Sequence, residues 1–184
     1  VIHGFYAVSR DESRFLFHKG RVKRILFHGI LIPRRRLEDL LVALAEVKEK
    51  IEEDIALYVS GSLGFGPSYV SYLNRLIIKL GLDNNVSFLG ELSDLELLRM
   101  YKCTDVFVWP CDQQTWGLAP LEAMFCRKPV IVSRGAGVSE VLNEQVALLV
   151  PPRNPLALAN ALLRLLRDVK LCKRLANNGH KYVA

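Results

Sequence analysis

The sequence predicts an α/β protein built on a doubly wound, parallel sheet of six strands, and three observations predict it. Six short apolar segments recur along the chain: Ile25–Gly29, Ala56–Gly61, Val86–Gly90, Asp105–Pro110, Pro129–Ser133 and Val146–Pro151. They are continuous rather than alternating and rich in Val, Ile and Phe, as strands covered on both faces are. Segments of helical period separate most of them, and alternation at this spacing gives parallel strands joined by crossover helices.

Each element has its own justification. Residues 1–24 are the least regular part of the chain and are read as a lead-in, with the domain proper expected over 25–184. After the first strand, Leu37, Leu40, Leu41, Leu44, Val47 and Ile51 follow one helical face. Tyr69, Leu73, Leu76, Ile77 and Leu80 do the same, and Gly81 suits the position just past that helix. Asp83-Asn84-Asn85 turns into the third strand. Ser93 is expected to cap the next helix, with Glu96 at the reciprocal position. Asn154-Pro155 opens a helix carrying Leu156, Ala159, Leu162, Leu163 and Leu166. No internal repeat and no low-complexity linker interrupts this order.

Composition narrows the function classes. With 184 residues, 51% hydrophobic and 24% charged, the chain can bury one substantial core. No apolar run approaches the ~18 residues that suggest a membrane span. Val1 opens directly on mixed sequence without a signal peptide, and the helix-like ending Lys181–Ala184 suggests an excised piece of a cytoplasmic protein. Cys103, Cys111, Cys126 and Cys172 lack ligand spacing and the four histidines are dispersed, so reduced thiols and no metal site are expected. The net charge of +6 is concentrated early, from Arg10, Arg14, Lys19, Arg21, Lys23 and Arg24 to Arg34, Arg35 and Arg36. A solvated face is the plain reading of such a run. A diphosphate site and peripheral contact with an anionic membrane face are the alternatives, and nucleic acid ranks last because no stacking aromatics accompany the charges.

Ligands of open α/β sheets gather beyond the carboxyl ends of the strands. There the first loop offers Arg34, Arg35 and Arg36, suited to a diphosphate through charge-assisted hydrogen bonds, although cations at a helix start oppose its dipole. The second loop holds Gly61, Gly64 and Gly66 at spacings that match neither the dinucleotide fingerprint nor a GxxxxGK[ST] phosphate loop. Leu89 to Leu92 can border a flat base. The segment Gln114 to Met124 is the most informative. Gly117 at a helix start turns its own N–H and that of Leu118 toward a phosphate, and Glu122 can accept from the hydroxyls of a ribose. Glu122 also stands alone in an apolar run from Leu118 to Phe125, where a lone acid is unexpected.

Taken together, these residues resemble the retaining nucleotide-sugar glycosyltransferases of two-domain GT-B fold, which include glycogen synthases, sucrose synthases and lipid-linked sugar mannosyltransferases. The resemblance is to their C-terminal, Rossmann-like donor-binding domain and covers residues 20–184. Its ordered tokens are Ile25–Gly29, Asn85–Gly90, Tyr101–Pro110, Trp116–Met124, Lys128–Ile131, Gly135–Val141 and Leu149–Pro152. It implies that Glu122 holds the donor ribose, that Trp116, Gly117 and Leu118 bind the distal phosphate, and that Leu89, Gly90 and Leu92 border the base. Near Gly29 the family carries a basic pair on the diphosphate. Its lysine falls on Arg35, and its arginine falls on Ile30, a departure. The first of the family's two acids, eight positions before Glu122, falls on Gln114, a second departure that puts sugar preference or turnover in question. Arg35 and Gln114 are therefore the catalytic candidates.

The implied reaction is hexose transfer from a nucleotide diphosphate to an acceptor hydroxyl with retention. It uses no metal or other cofactor, and a separate N-terminal domain binds the glycan or lipid-linked acceptor. A nucleotide-sugar epimerase of the same architecture, or a non-catalytic binding module, are the alternatives.

Overall fold

The computed structural model describes residues 22–64, 66–113 and 116–184. Strands β1 (Val22–His28), β2 (Asp54–Ser60), β3 (Val86–Gly90), β4 (Val106–Trp109), β5 (Val130–Ser133) and β6 (Leu148–Val150) form one sheet in the order β3-β2-β1-β4-β5-β6. Every pairing is parallel. The direction of winding reverses between β1 and β4, which is where such sheets open a crevice at their carboxyl edge.

Helices α1 (Leu37–Lys48), α2 (Pro67–Lys79) and α5 (Pro155–Arg167) cover one face; α3 (Asp94–Cys103) and α4 (Ala119–Phe125) cover the other. Side chains alternate along a strand, so each strand supplies both layers. Ile25 and Phe27 join Leu57, Val59, Val106 and Val108 in the first core. Leu26 joins Tyr58, Phe107, Trp109 and Val132 in the second. The final helix, α6 (Val169–Val183), bridges the layers, burying Leu171 and Leu175 in the first core while Val183 packs on the second.

The punctuation expected from sequence is present. Ser93 and Glu96 form the reciprocal cap of α3, Asn154 caps α5 by accepting from the N–H of Ala157 at 2.9 Å, and Gly81 lies at φ 64° after α2. Three of the boundaries that differ have a visible cause. β1 begins at Val22, inside the segment read as lead-in, because Lys23 reaches the carbonyl of Leu166 at 3.1 Å and the N–H of Arg24 donates to Asp105 at 2.7 Å. β6 starts two residues late because the N–H groups of Val146 and Ala147 turn back to the carbonyl of Asn143, each at 3.1 Å. α1 stops at Lys48, and Ile51 packs on the core from beyond it. The remainder of the lead-in, with Arg10, Arg14, Lys19 and Arg21, lies outside the described residues.

Candidate functional site

The loops at the carboxyl edge are laced to one another beyond the last strand residues. The N–H of Gly29 donates to Ser60 at 2.9 Å, that of Leu31 to Ser62 at 2.8 Å, and that of Gly61 to Gly90 at 2.8 Å. Gly61 has φ +130°, and a Cβ there would fall on the carbonyl of Gly29, so no other residue lets these two loops meet.

Strand alternation then decides which side chains face the α3–α4 side of the crevice: His28, Ser60 and Trp109 continue the parity of Leu26, Tyr58 and Phe107. Trp109 lies at the centre and is 2% exposed. Its indole packs near-parallel to the rings of Phe27 and Phe107, with centroids at 6.4 and 6.3 Å. A Cβ on Gly29 would come within 3.3 Å of that indole, and one on Gly117 within 2.9 Å. Arg35, at the end of the short 3-10 turn Pro33–Arg35, lays its guanidinium over the same ring at 4.4 Å and points Nη1 at the Cys111 sulfur, 3.6 Å away. Burial pushes the Cys111 thiol up to about 11 against the opposing pull of Arg35, so it stays a neutral packing group.

Across the crevice, Glu122 accepts from the Tyr101 hydroxyl at 3.0 Å, and that hydroxyl also lies 3.3 Å from the carbonyl of Ala119. Burial and the Glu122 carboxylate hold the Tyr101 hydroxyl protonated far above its ordinary value, fixing it as a donor. His28 hydrogen-bonds Ser60 at 2.9 Å, and burial lowers its pKa while the Glu122 carboxylate raises it and the Arg35 cation lowers it further. The imidazole thus feels both the acid and the base of the crevice. Among the described residues no group of His, Cys, Asp or Glu converges in a way that could hold a metal ion. What the site offers is one cation over an aromatic plate, glycine-rich backbone and one oriented carboxylate, a set suited to an anionic ligand carrying hydroxyls.

The chain matches the family described as glycosyl transferases group 1 over residues 8–182. It belongs to that family. A glycosyltransferase of Methanocaldococcus jannaschii, itself uncharacterised, is 32% identical over 88% of this chain and 40% of its own length. The D-inositol 3-phosphate glycosyltransferase of Streptomyces bingchenggensis is 31% identical over 84% of this chain and 35% of its own. The chain therefore spans well under half of the curated relatives it matches. Anabaena HepE, solved in complex with UDP and glucose, superposes with a TM-score of 0.77 at 26% identity, covering 88% of this chain and 43% of that one.

In this group 1 member the sequence candidates fall into three sets. Gly29, Arg35, Gly117 and Glu122 lie about the crevice, and Trp116 and Leu118 stand exposed beside it. Leu89 and Leu92 instead pack inward on the second core, leaving Gly90 to present backbone. Gln114 lies outside the described residues.

Other expectations need correction. α4 begins at Ala119 with Leu118 as its cap, so Gly117 precedes the helix rather than starting it, and its lack of a side chain is demanded by the Trp109 indole. Glu122 is not an acid sunk in apolar surroundings. The run is two-sided, with Ala119, Ala123 and Met124 buried while Leu118, Glu122 and Phe125 face outward. The three arginines also do not act together. Arg36, in the left-handed region at φ 53°, is consumed by Glu38 at 2.9 Å and by a two-point fork on Asp39 at 2.8 and 2.9 Å. Those acids supply the compensation that a basic helix start requires. Arg34 is exposed, and its carbonyl accepts from the N–H of Asp112 at 2.8 Å.

Sequence reasoning missed four contributors. Trp109 looked like a strand residue, Cys111 like a scattered thiol, and His28 like part of an apolar run. Asp112, only 8% exposed, pairs with Arg153 and fixes the start of the loop toward Trp116. The period-2 parity of the strands was the available signal for His28 and Trp109.

Proposed function

We propose that this chain is the donor-binding part of a retaining glycosyltransferase that moves a hexose from a nucleoside diphosphate sugar to an acceptor hydroxyl. The observation that carries the reading is that the β1–β4 reversal sets the Arg35 guanidinium, lying over Trp109, and the Glu122 carboxylate, oriented by Tyr101, on loops at the same carboxyl edge. Arg35 meets the diphosphate and stabilises the negative charge that grows on it as the sugar departs, with the backbone of Gly117 and Leu118 opposite. Glu122, oriented by Tyr101, accepts from the ribose hydroxyls. Membership of the family and the likeness to HepE, which was solved with UDP, support this assignment. The acceptor, a glycan or lipid-linked alcohol, is held by a part of the protein beyond these residues, in keeping with the share of its relatives that the chain spans.

Calorimetric titration of the chain with UDP, GDP and ADP, and with their hexose derivatives, tests the proposal. One base is expected to bind at micromolar to millimolar concentration with Glu122 required. Failure of all three at millimolar ligand would favour a non-catalytic module.

A further inference from the structure

We propose that Trp109 is the positioning residue of this site: its indole is the plate that holds the Arg35 guanidinium at the height of the diphosphate and sets the spacing between the Gly29 and Gly117 loops. The inference rests on the donor-site reading above and adds a role that the residue's place in an apolar strand does not suggest.

Four observations carry it. The ring is 2% exposed and packs near-parallel to Phe27 and Phe107, so it has little freedom to tilt. The Arg35 guanidinium lies 4.4 Å from its centroid, and no carboxylate within the described residues pairs with that cation. The only side-chain bond of Arg35 is the long one to the Cys111 sulfur, and its Nε is buried without a partner, so the aromatic face is its principal anchor. Both glycines that bound the crevice touch the same indole, at 3.3 Å from Gly29 and 2.9 Å from Gly117 measured to the Cβ each lacks.

The physics is that of a cation over a desolvated aromatic face. The contact restricts the rotamers of a long side chain and, with Nη1 turned to the Cys111 sulfur and Nε buried, leaves Nη2 as the donor for phosphate oxygens. Arginine suits this arrangement better than lysine, because a planar cation can stack and donate in its own plane at once.

The experiment has a part that needs no ligand. In a Trp116→Phe background Trp109 is the sole tryptophan of the chain. Arg35→Leu is expected to change its emission in the free protein, and an identical spectrum overturns the stacking. The second part titrates Trp109→Leu and Trp109→Phe with UDP, GDP and ADP and their monophosphates. For the base that wild type prefers, Trp109→Leu is expected to lose about tenfold in diphosphate affinity while the monophosphate changes less than about twofold. Trp109→Phe, which keeps a ring face, is expected to fall between Leu and wild type. Equal losses for mono- and diphosphate, or no loss, overturn the positioning role. Wild type that binds no nucleotide sinks the donor-site reading instead, and the emission measurement still decides whether Trp109 carries Arg35.

Discussion

Replacing Gly117 by alanine tests the packing at the centre of the site. The backbone there needs no unusual φ, so the cost comes only from what the methyl group meets. It would lie 2.9 Å from Trp109 Nε1 and 3.0 Å from Cε2 and Cζ2, whereas ordinary contact begins at 3.4 Å. The indole has little room to yield because Phe27 and Phe107 hold it and only 2% of it is exposed. The loop must lift, or the ring must shift against its neighbours. Overpacking of this kind costs about 1–3 kcal/mol. For a chain of this size that corresponds to a fall of roughly 2–12 °C in Tm. Lifting the loop also carries the N–H groups of Gly117 and Leu118 away from a bound phosphate, so affinity for the preferred nucleoside diphosphate should fall as well. Thermal denaturation of Gly117→Ala, alone and with Trp109→Leu, measures the coupling. In the Leu background the same change should cost little, giving a coupling of about 1 kcal/mol or more. Additive effects, or a Gly117→Ala protein with unchanged Tm and unchanged affinity, would refute the reasoning.

The remaining predictions concern charge and the hydroxyl-binding side. Glu122→Ala should weaken nucleotide binding by about 1.5–3 kcal/mol, the range for hydrogen bonds to a charged group; Tyr101→Phe should lose less, and unchanged calorimetric affinity in a folded Glu122→Ala protein removes the residue from the site. Arg36→Ala should destabilise the chain by about 1–3 kcal/mol, since it leaves the nearly buried Asp39 without its partner, yet barely alter nucleotide affinity. Arg35→Ala should show the reverse pattern in the same two assays. His28 has its pKa lowered from 6.5, chiefly by burial, so the unfolded chain binds the proton first. Its stabilising contribution is therefore full above pH 6.5 and declines as the pH falls toward the lowered folded value. A His28→Asn protein should lose less stability than wild type between pH 7 and pH 5, and parallel denaturation curves would count against this. Gln114→Glu should alter the preference among nucleotide-hexoses while leaving sugar-free nucleotide bound as before; an equal change for both contradicts a sugar-contacting role.

Much of the molecule was legible before any coordinates. Strand existence and order along the chain follow from apolar runs that the backbone must bury on both faces, and caps such as Ser93 with Glu96 are local chemistry that needs no tertiary partner. The boundary at Val22 was less legible because hydrogen bonds to distant residues set it, and that at Leu148 because a local turn back to Asn143 delays the strand.

The sequence by itself determined the parallel α/β class, the edge on which a ligand gathers, and the family, because these depend on periodicity and on ordered motifs. Only the tertiary structure decided how the members divide their work. Arg34, Arg35 and Arg36 are equivalent in a string of letters, yet one is exposed, one lies over Trp109 and one is locked to Glu38 and Asp39. Gly117 likewise reads as a helix start, whereas the fold sets it against the Trp109 indole, where a side chain would collide. The physical reason is common to both. A side chain's role is set by the neighbours that satisfy or crowd it: Arg36 finds its own at the start of α1, whereas those of Arg35 and Gly117 come from strands and loops brought together where β1 meets β4.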